Sequence, residues 1–135
     1  REIATVREAL GLSETDVTEV CSVPSPGPGN AVTVAVVSDA ITEVFSAFGR
    51  KRVPAEEVGR EVASEVRDHL DRGVPVGPHL ADQLMVPLSL VGGRFLTGPL
   101  TDHSRTAIAI IERFLGRSPR AEAQDDQRLL VECSI

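Results

Sequence analysis

Residues 79–116, HLADQLMVPLSLVGGRFLTGPLTDHSRTAIAIIERFLG, constrain this chain more than any other part of it. They read as a helix, a short strand pair and a second helix. Each helix opens on a polar cluster and continues as an apolar run. His79, Asp82 and Gln83 open the first; Thr101, Asp102, His103 and Ser104 open the second. If the two polar starts meet in space, they make an anion site that contains a histidine.

The first helix places Leu80, Leu84, Leu88 and Val91 on one face, while Met85, Val86 and Leu90 fill most of the rest. That pattern predicts a rod buried nearly all round beyond its first turn. A chain that carries it alone is expected to expose apolar surface or to self-associate. Pro87 donates no hydrogen bond and its ring crowds the carbonyl of Gln83, which predicts a kink there. Asp82 and Gln83 either cap the helix and pair with neighbouring loops, or hold a ligand.

In the second helix, Gly98-Pro99 makes the preceding turn and Asp102 or Ser104 supplies the cap. Ile108, Ile111, Phe114 and Leu115 are the expected core face, and Gly116 is the stop. His103 then stands at the positive end of the helix, which opposes protonation of an imidazole and favours an incoming phosphate. Those two effects suit nucleophilic attack on a nucleotide phosphate. The plain alternative is an exposed or capping histidine without a role. His79 shares the setting of Asp82 and Gln83 and is a candidate ligand contact. His69, among Arg67, Asp68 and Asp71, reads as a solvated surface residue. The spacing of His79, Asp82 and His103 matches no standard metal site.

The rest of the chain supplies scaffold. Ile3, Val6 and Leu10 form one face of a helix over residues 1–10, with Gly11 as its cap. Residues 17–23 (VTEVCSV) are expected to form a strand, and PSPGPGN, 24–30, a hairpin connection. The glycines of that connection do not have the spacing of a phosphate loop. Residues 31–37 (AVTVAVV) read as a buried strand. Residues 40–49 fit a helix period or a strand alternation, and a strand returning beside 31–37 is preferred. Residues 54–72 form a helix with the face Val58, Val62, Val66 and Leu70, ended by Gly73. GVPVGP, 73–78, is a candidate junction, and RAEAQ with RLLVECSI forms a terminal hairpin.

Composition removes several function classes. The chain has 135 residues, a net charge of −6 and only 3% aromatics, with no Trp or Tyr. The charge argues against a generally basic nucleic-acid surface, the missing Trp and Tyr weaken an aromatic-stacking one, and any RNA contact would have to be local. Cys21 and Cys133 show no metal spacing and are expected as buried free thiols in a reducing, cytoplasmic compartment. No apolar run reaches the ~18 residues of a membrane span. The first residue is Arg1, already in a helical pattern, so an upstream segment is expected.

Taken together, HLADQL at 79–84, TGPLTDHSRTAI at 97–108, GPGNA at 27–31 and AFGRKRVPAEEVG at 47–59 resemble the RNA 3′-terminal phosphate cyclase family, in that family's order. The resemblance implies an α/β (α+β) partial cyclase-type fold. Its large domain is built of units with two helices on a four-stranded sheet, and a small α/β domain is inserted in it. Residues 1–75 would be the latter part of the insert and 76–135 the C-terminal part of the catalytic large domain. The implied activity is ATP-dependent conversion of an RNA 3′-terminal phosphate to a 2′,3′-cyclic phosphate, with a divalent metal (Mg or Mn). His103 matches the histidine that carries AMP, and His79, Leu80, Ala81, Asp82 and Gln83 match the ATP-binding segment. Arg52 departs from the pattern, standing where the family usually has glycine. The family's N-terminal half, which contributes further contacts to nucleotide, metal and RNA, is absent from these residues, so the chain alone is expected to be inactive. The alternatives are a non-catalytic cyclase-like protein binding RNA or acting in ribosome assembly, and an unrelated α/β interaction domain.

Overall fold

The computed structural model describes residues 1–13, 15, 16 and 18–135. Its elements are α1 (Glu2–Leu10), β1 (Ala31–Val37), β2 (Thr42–Phe48), α2 (Ala55–Arg72), α3 (Pro78–Val91), β3 (Gly93–Thr97), α4 (Asp102–Leu115), β4 (Arg120–Ala123) and β5 (Leu129–Cys133). The mixed helix and strand composition is the expected α/β class. Two compact units result, Arg1–Val37 with Val44–Asp68, and Ser38–Glu43 with His69–Ile135.

The core of the first unit is Val6, Val32, Phe45, Ala47, Val58, Val62 and Val66, edged by Leu10, Val34, Val36 and Val53. Each fully buried valine contributes ~1.5–3 kcal/mol, so the three from α2 dominate. Gly59, inside α2, lacks the side chain that would otherwise meet the Glu2 carbonyl at 2.8 Å. A mid-helix glycine costs ~1 kcal/mol; here it lets the backbone of α1 come close. Arg50 grips Glu61 with its two terminal guanidinium nitrogens, at 3.2 and 2.6 Å.

Several expectations need correction in this unit. Residues 18–23 form no strand, Val20 and Val23 are exposed, and Val17 lies outside the described residues. Val20 and Val23 are three apart, so they would not share a strand face. β1 is buried on one side only, and Val37 is exposed, because β1 and β2 form a two-stranded sheet. The preferred strand over 40–49 is present as β2, but its inward side is Glu43, Phe45 and Ala47. Cys21 is free but exposed, whereas Cys133 is free and buried.

The second unit lays α3 and α4 on a three-stranded antiparallel sheet in the order β3-β5-β4, with Phe95 opposite Val131 and Val131 opposite Ala121. Met85, Leu88, Ile111, Val131 and Cys133 are its core. Val76 makes a parallel bridge to Thr97 at the β3 edge, where the Thr97 hydroxyl donates to the Val76 carbonyl at 2.8 Å. The terminal hairpin is present, and Asp125 closes its turn by accepting from the Gln127 and Arg128 amides.

Here too the burial differs from expectation. Only one strand, β3, lies between α3 and α4. α3 runs through Pro87 to Val91, burying Ala81, Met85, Leu88 and Ser89 but exposing Val86, Leu90 and Val91. It has the sheet and α4 on one side and is uncovered on the other. In α4 the inward residues are Ser104, Ala107, Ile108 and Ile111, while Phe114 is 82% exposed and Leu115 43%. The last turn of α4 runs past the core. In α2, His69 is buried and Leu70 exposed. His69 falls three residues after Val66 on the buried stripe; its charged sequence neighbours point elsewhere.

Candidate functional site

The two polar helix starts meet. The Thr101 hydroxyl donates to Asp82 Oδ1 at 2.7 Å, and the Ser104 hydroxyl donates to the same carboxylate oxygen. Thr101 Oγ1 also accepts the Ser104 N–H at 3.0 Å and so caps α4. The expected caps were Asp102 or Ser104. The cap must sit in extended backbone just before the first helical residue, and Thr101 does, at φ −70° and ψ 167°. Ser104 is the donor of the capping bond, and it is fully buried.

Asp82 therefore does not cap its own helix. α3 has Gly77 as its N-cap and Pro78 next, with no side-chain cap. Instead the Glu43 carboxylate, buried on β2, accepts the Gly77 N–H at 2.6 Å. A negative group there complements the positive helix end. Sequence reasoning passed over Glu43. The available signal was its phase, two residues before Phe45 and four before Ala47 on the inward side of β2.

The candidate residues divide by exposure. His79, Gln83 and His103 are exposed, Leu80 and Asp82 are half-buried, and Ala81 is buried. Among the described residues, the side chains of His79, Gln83 and His103 make no hydrogen bond to the protein. Segment 79–83 is thus joined to segment 101–104 through Asp82, while His103 stands in the first turn of α4 with its ring open to solvent. An exposed imidazole beside free N–H groups of a helix start is accessible to a phosphate. His103 shares the exposed side of α4 with Ile110 and Phe114.

Beside these helix starts is a cavity of about 240 Å³. The last turn of α2 forms one wall with His69 and Arg72, and Gly77, Pro78, Gly98 and Pro99 form another. Among the described residues no group of three or more His, Cys, Asp or Glu is placed to hold a metal. Among the described residues no helix is long and apolar enough to cross a membrane.

Comparison with known proteins agrees over most of the length. Residues 1–71 match the RNA 3′-terminal phosphate cyclase (RTC), insert domain family. An RNA 3′-terminal phosphate cyclase of Salmonella enteritidis is 44% identical over 116 residues, which are 85% of this chain and 34% of the relative. Another, of Pseudomonas fluorescens, is 37% identical over 134 residues, which are 98% of this chain and 39% of the relative. The chain spans a little over a third of the length of these curated relatives. The chain is therefore a member of the RNA 3′-terminal phosphate cyclase family.

Proposed function

We propose that the chain contributes the nucleophile and part of the ATP-binding wall of an enzyme that converts an RNA 3′-terminal phosphate to a 2′,3′-cyclic phosphate. An imidazole nitrogen of His103 attacks the α-phosphorus of ATP. An N–P bond forms, the bond to the bridging oxygen breaks, and pyrophosphate leaves. The RNA 3′-phosphate then takes AMP from the histidine. The adjacent 2′-hydroxyl attacks the 3′-phosphorus, losing its proton, and AMP departs as the cyclic phosphate closes. Residues 79–83 bind the nucleotide, with Asp82 acting mainly as the brace that holds Thr101 and Ser104.

The observation that carries this reading is the Thr101–Asp82 hydrogen bond at 2.7 Å beside an exposed His103. It joins residues 79–83 to residues 101–104, and a nucleotide segment and a nucleophile acting together would need such a shared support. Among the described residues no group of three or more His, Cys, Asp or Glu is placed to hold a metal. A divalent cation, Mg or Mn, accompanies ATP in the resemblance and would offset the charge of its phosphates. Residues 1–71 would serve as insert domain, and residues 76–135 as large-domain structure. The remaining walls of the site would come from the length that the relatives have beyond this chain, so the chain by itself is proposed to be inactive. Uncovered Val86, Leu90, Ile110 and Phe114 would favour self-association of the isolated chain. The compartment proposed is the cytoplasm.

The test is a chimera in which this chain replaces the matching residues of the Pseudomonas fluorescens relative. With ATP, Mg and a 3′-phosphorylated oligoribonucleotide it should yield the cyclic phosphate, and His103→Ala should abolish the product. A folded chimera that makes none would favour the second reading, a non-catalytic member that binds RNA or acts in ribosome assembly. The exposed, accessible histidine is what ranks that reading lower.

A further inference from the structure

Among the described residues Glu43, 5% exposed, is the one buried carboxylate, and the reaction given to His103 does not use it. A buried carboxylate is costly unless it is hydrogen-bonded. Glu43 accepts the Gly77 N–H at 2.6 Å. The sequence makes room for that contact. A Cβ on Gly77 would stand 2.9 Å from Glu43 Oε2 and 3.3 Å from Oε1, so glycine is what lets the carboxylate approach.

Three consecutive residues fix how the chain enters α3. Val76 is held on the β3 edge from both sides. Its N–H donates to the Leu96 carbonyl at 3.3 Å, and its carbonyl accepts the Thr97 hydroxyl at 2.8 Å. Pro78 has its φ locked by the ring. Between them stands Gly77, with the freest backbone of any residue type, and the Glu43 carboxylate restrains it. The Gly77 carbonyl accepts the Ala81 N–H at 2.9 Å, the first hydrogen bond of α3. At the far side of that turn Asp82 is fastened to Thr101. His79 and Leu80 lie between the two fixed points, so their direction depends on Gly77. Glu43 belongs to residues 1–71, which match the insert domain family, whereas residues 79–83 lie beyond that match.

We infer that Glu43 is a positioning residue for the nucleotide: by holding Gly77 it directs the first turn of α3, and so sets the affinity of residues 79–83 for ATP. The inference rests on the reading that residues 79–83 bind ATP, and gives a residue of the insert-matching stretch a part in it. His103 is braced separately, through Thr101 and Asp82. Loss of Glu43 should therefore weaken nucleotide binding and spare the attack, raising KM rather than lowering kcat.

The test uses the Pseudomonas fluorescens chimera and α,β-methylene-ATP, in which carbon replaces the bridging oxygen, so that it binds without giving up AMP. Calorimetry with Mg reads the affinity. Glu43→Ala should weaken binding about tenfold, the scale of one hydrogen bond to a charged group. Glu43→Gln, which keeps an acceptor at the same reach, should stay close to the parent. If Glu43→Ala does not fold, Gly77→Ala serves; it displaces the carboxylate and should weaken binding several-fold. With ATP and the 3′-phosphorylated oligoribonucleotide, Glu43→Ala should raise KM for ATP by the same factor and leave kcat nearly unchanged. A loss of stability alone lowers the amount of active enzyme, hence kcat, and Val131→Ala in the core is the control for it. Parental affinity in Glu43→Ala, a Glu43→Gln chimera as weak as Glu43→Ala, a loss confined to kcat, or a folded parent that does not bind the analogue would overturn the inference. A chimera that accepts AMP on His103 with an affinity indifferent to Glu43 sinks this inference alone. Binding that depends on Glu43, with no AMP on His103, sinks the proposed reaction alone.

Discussion

Thr101 Oγ1 donates to Asp82 Oδ1 at 2.7 Å while accepting the Ser104 amide at 3.0 Å. One hydroxyl thus caps α4 and fastens it to α3. Thr101→Val keeps the shape but removes both bonds. The expected cost is ~1–3 kcal/mol, from the lost cap and a half-buried carboxylate deprived of a donor. Urea unfolding measures it, and amide exchange at Ser104 should quicken. Thr101→Ser should recover most of the loss. An unchanged urea midpoint in Thr101→Val would show that the tie is incidental.

Glu43 and Gly77 form the second constrained pair. Glu43→Ala leaves the Gly77 N–H buried without its acceptor, for a loss of ~1–3 kcal/mol. Gly77→Ala puts a Cβ 2.9 Å from Glu43 Oε2, so the carboxylate must move. Both variants should melt at lower temperature than the parent. The double variant should lose less than the sum of the two, because the single changes damage the same contact. Strict additivity would contradict the pairing.

Arg52 has φ +69°, the one non-glycine residue at positive φ among those described. Left-handed backbone costs an L-residue ~1–2 kcal/mol; the freedom that glycine adds to the unfolded chain returns ~0.4–1 kcal/mol of that. Arg52→Gly is therefore expected to stabilise by up to about 1 kcal/mol, raising the melting temperature. The resemblance had already marked this as a place for glycine. The backbone supplies the reason, since the turn closed by Val53 N–H to Arg50 O, 3.1 Å, passes through the left-handed region. A destabilised Arg52→Gly protein would mean that the arginine side chain holds the turn.

Acid should act through two surface carboxylates. The Gln127 amide, and after it the Arg128 guanidinium, hold Asp125 below the usual carboxylate range. The hydrogen bond from Arg50 does the same for Glu61. A depressed folded value means that each group contributes stability above its unfolded pKa, and loses it as the pH falls through the folded one. Stability should therefore decline on acidification from about pH 4, the ordinary carboxylate value. Carbon-detected titration of the two side chains checks the direction, and midpoints at or above ordinary values would refute it.

The sequence carried the long periodic elements well. Val58, Val62 and Val66 announce α2, Gly116 marks the end of α4, and the Asp125–Gln127 turn marks the last hairpin. The polar starts of α3 and α4 were legible as a pair too. What was not legible depends on neighbours in space. Whether Phe114 is buried depends on how far the sheet extends beneath α4, not on its helical phase. Flanking charges suggested a solvated His69, yet a residue's side is set by its angle round the helix. For Asp82 the sequence left a cap and a ligand contact both open, and only folding shows that its partners are nineteen and twenty-two residues further on.

The most direct test of the account is where AMP becomes attached. Incubate the chimera with ATP and Mg without RNA, digest it with trypsin under alkaline conditions, and map the adduct by mass spectrometry. The account predicts one AMP on the peptide Phe95–Arg105, labile in acid, carried by His103 and absent in His103→Ala. AMP on any other residue, or an adduct that persists in His103→Ala, would contradict it.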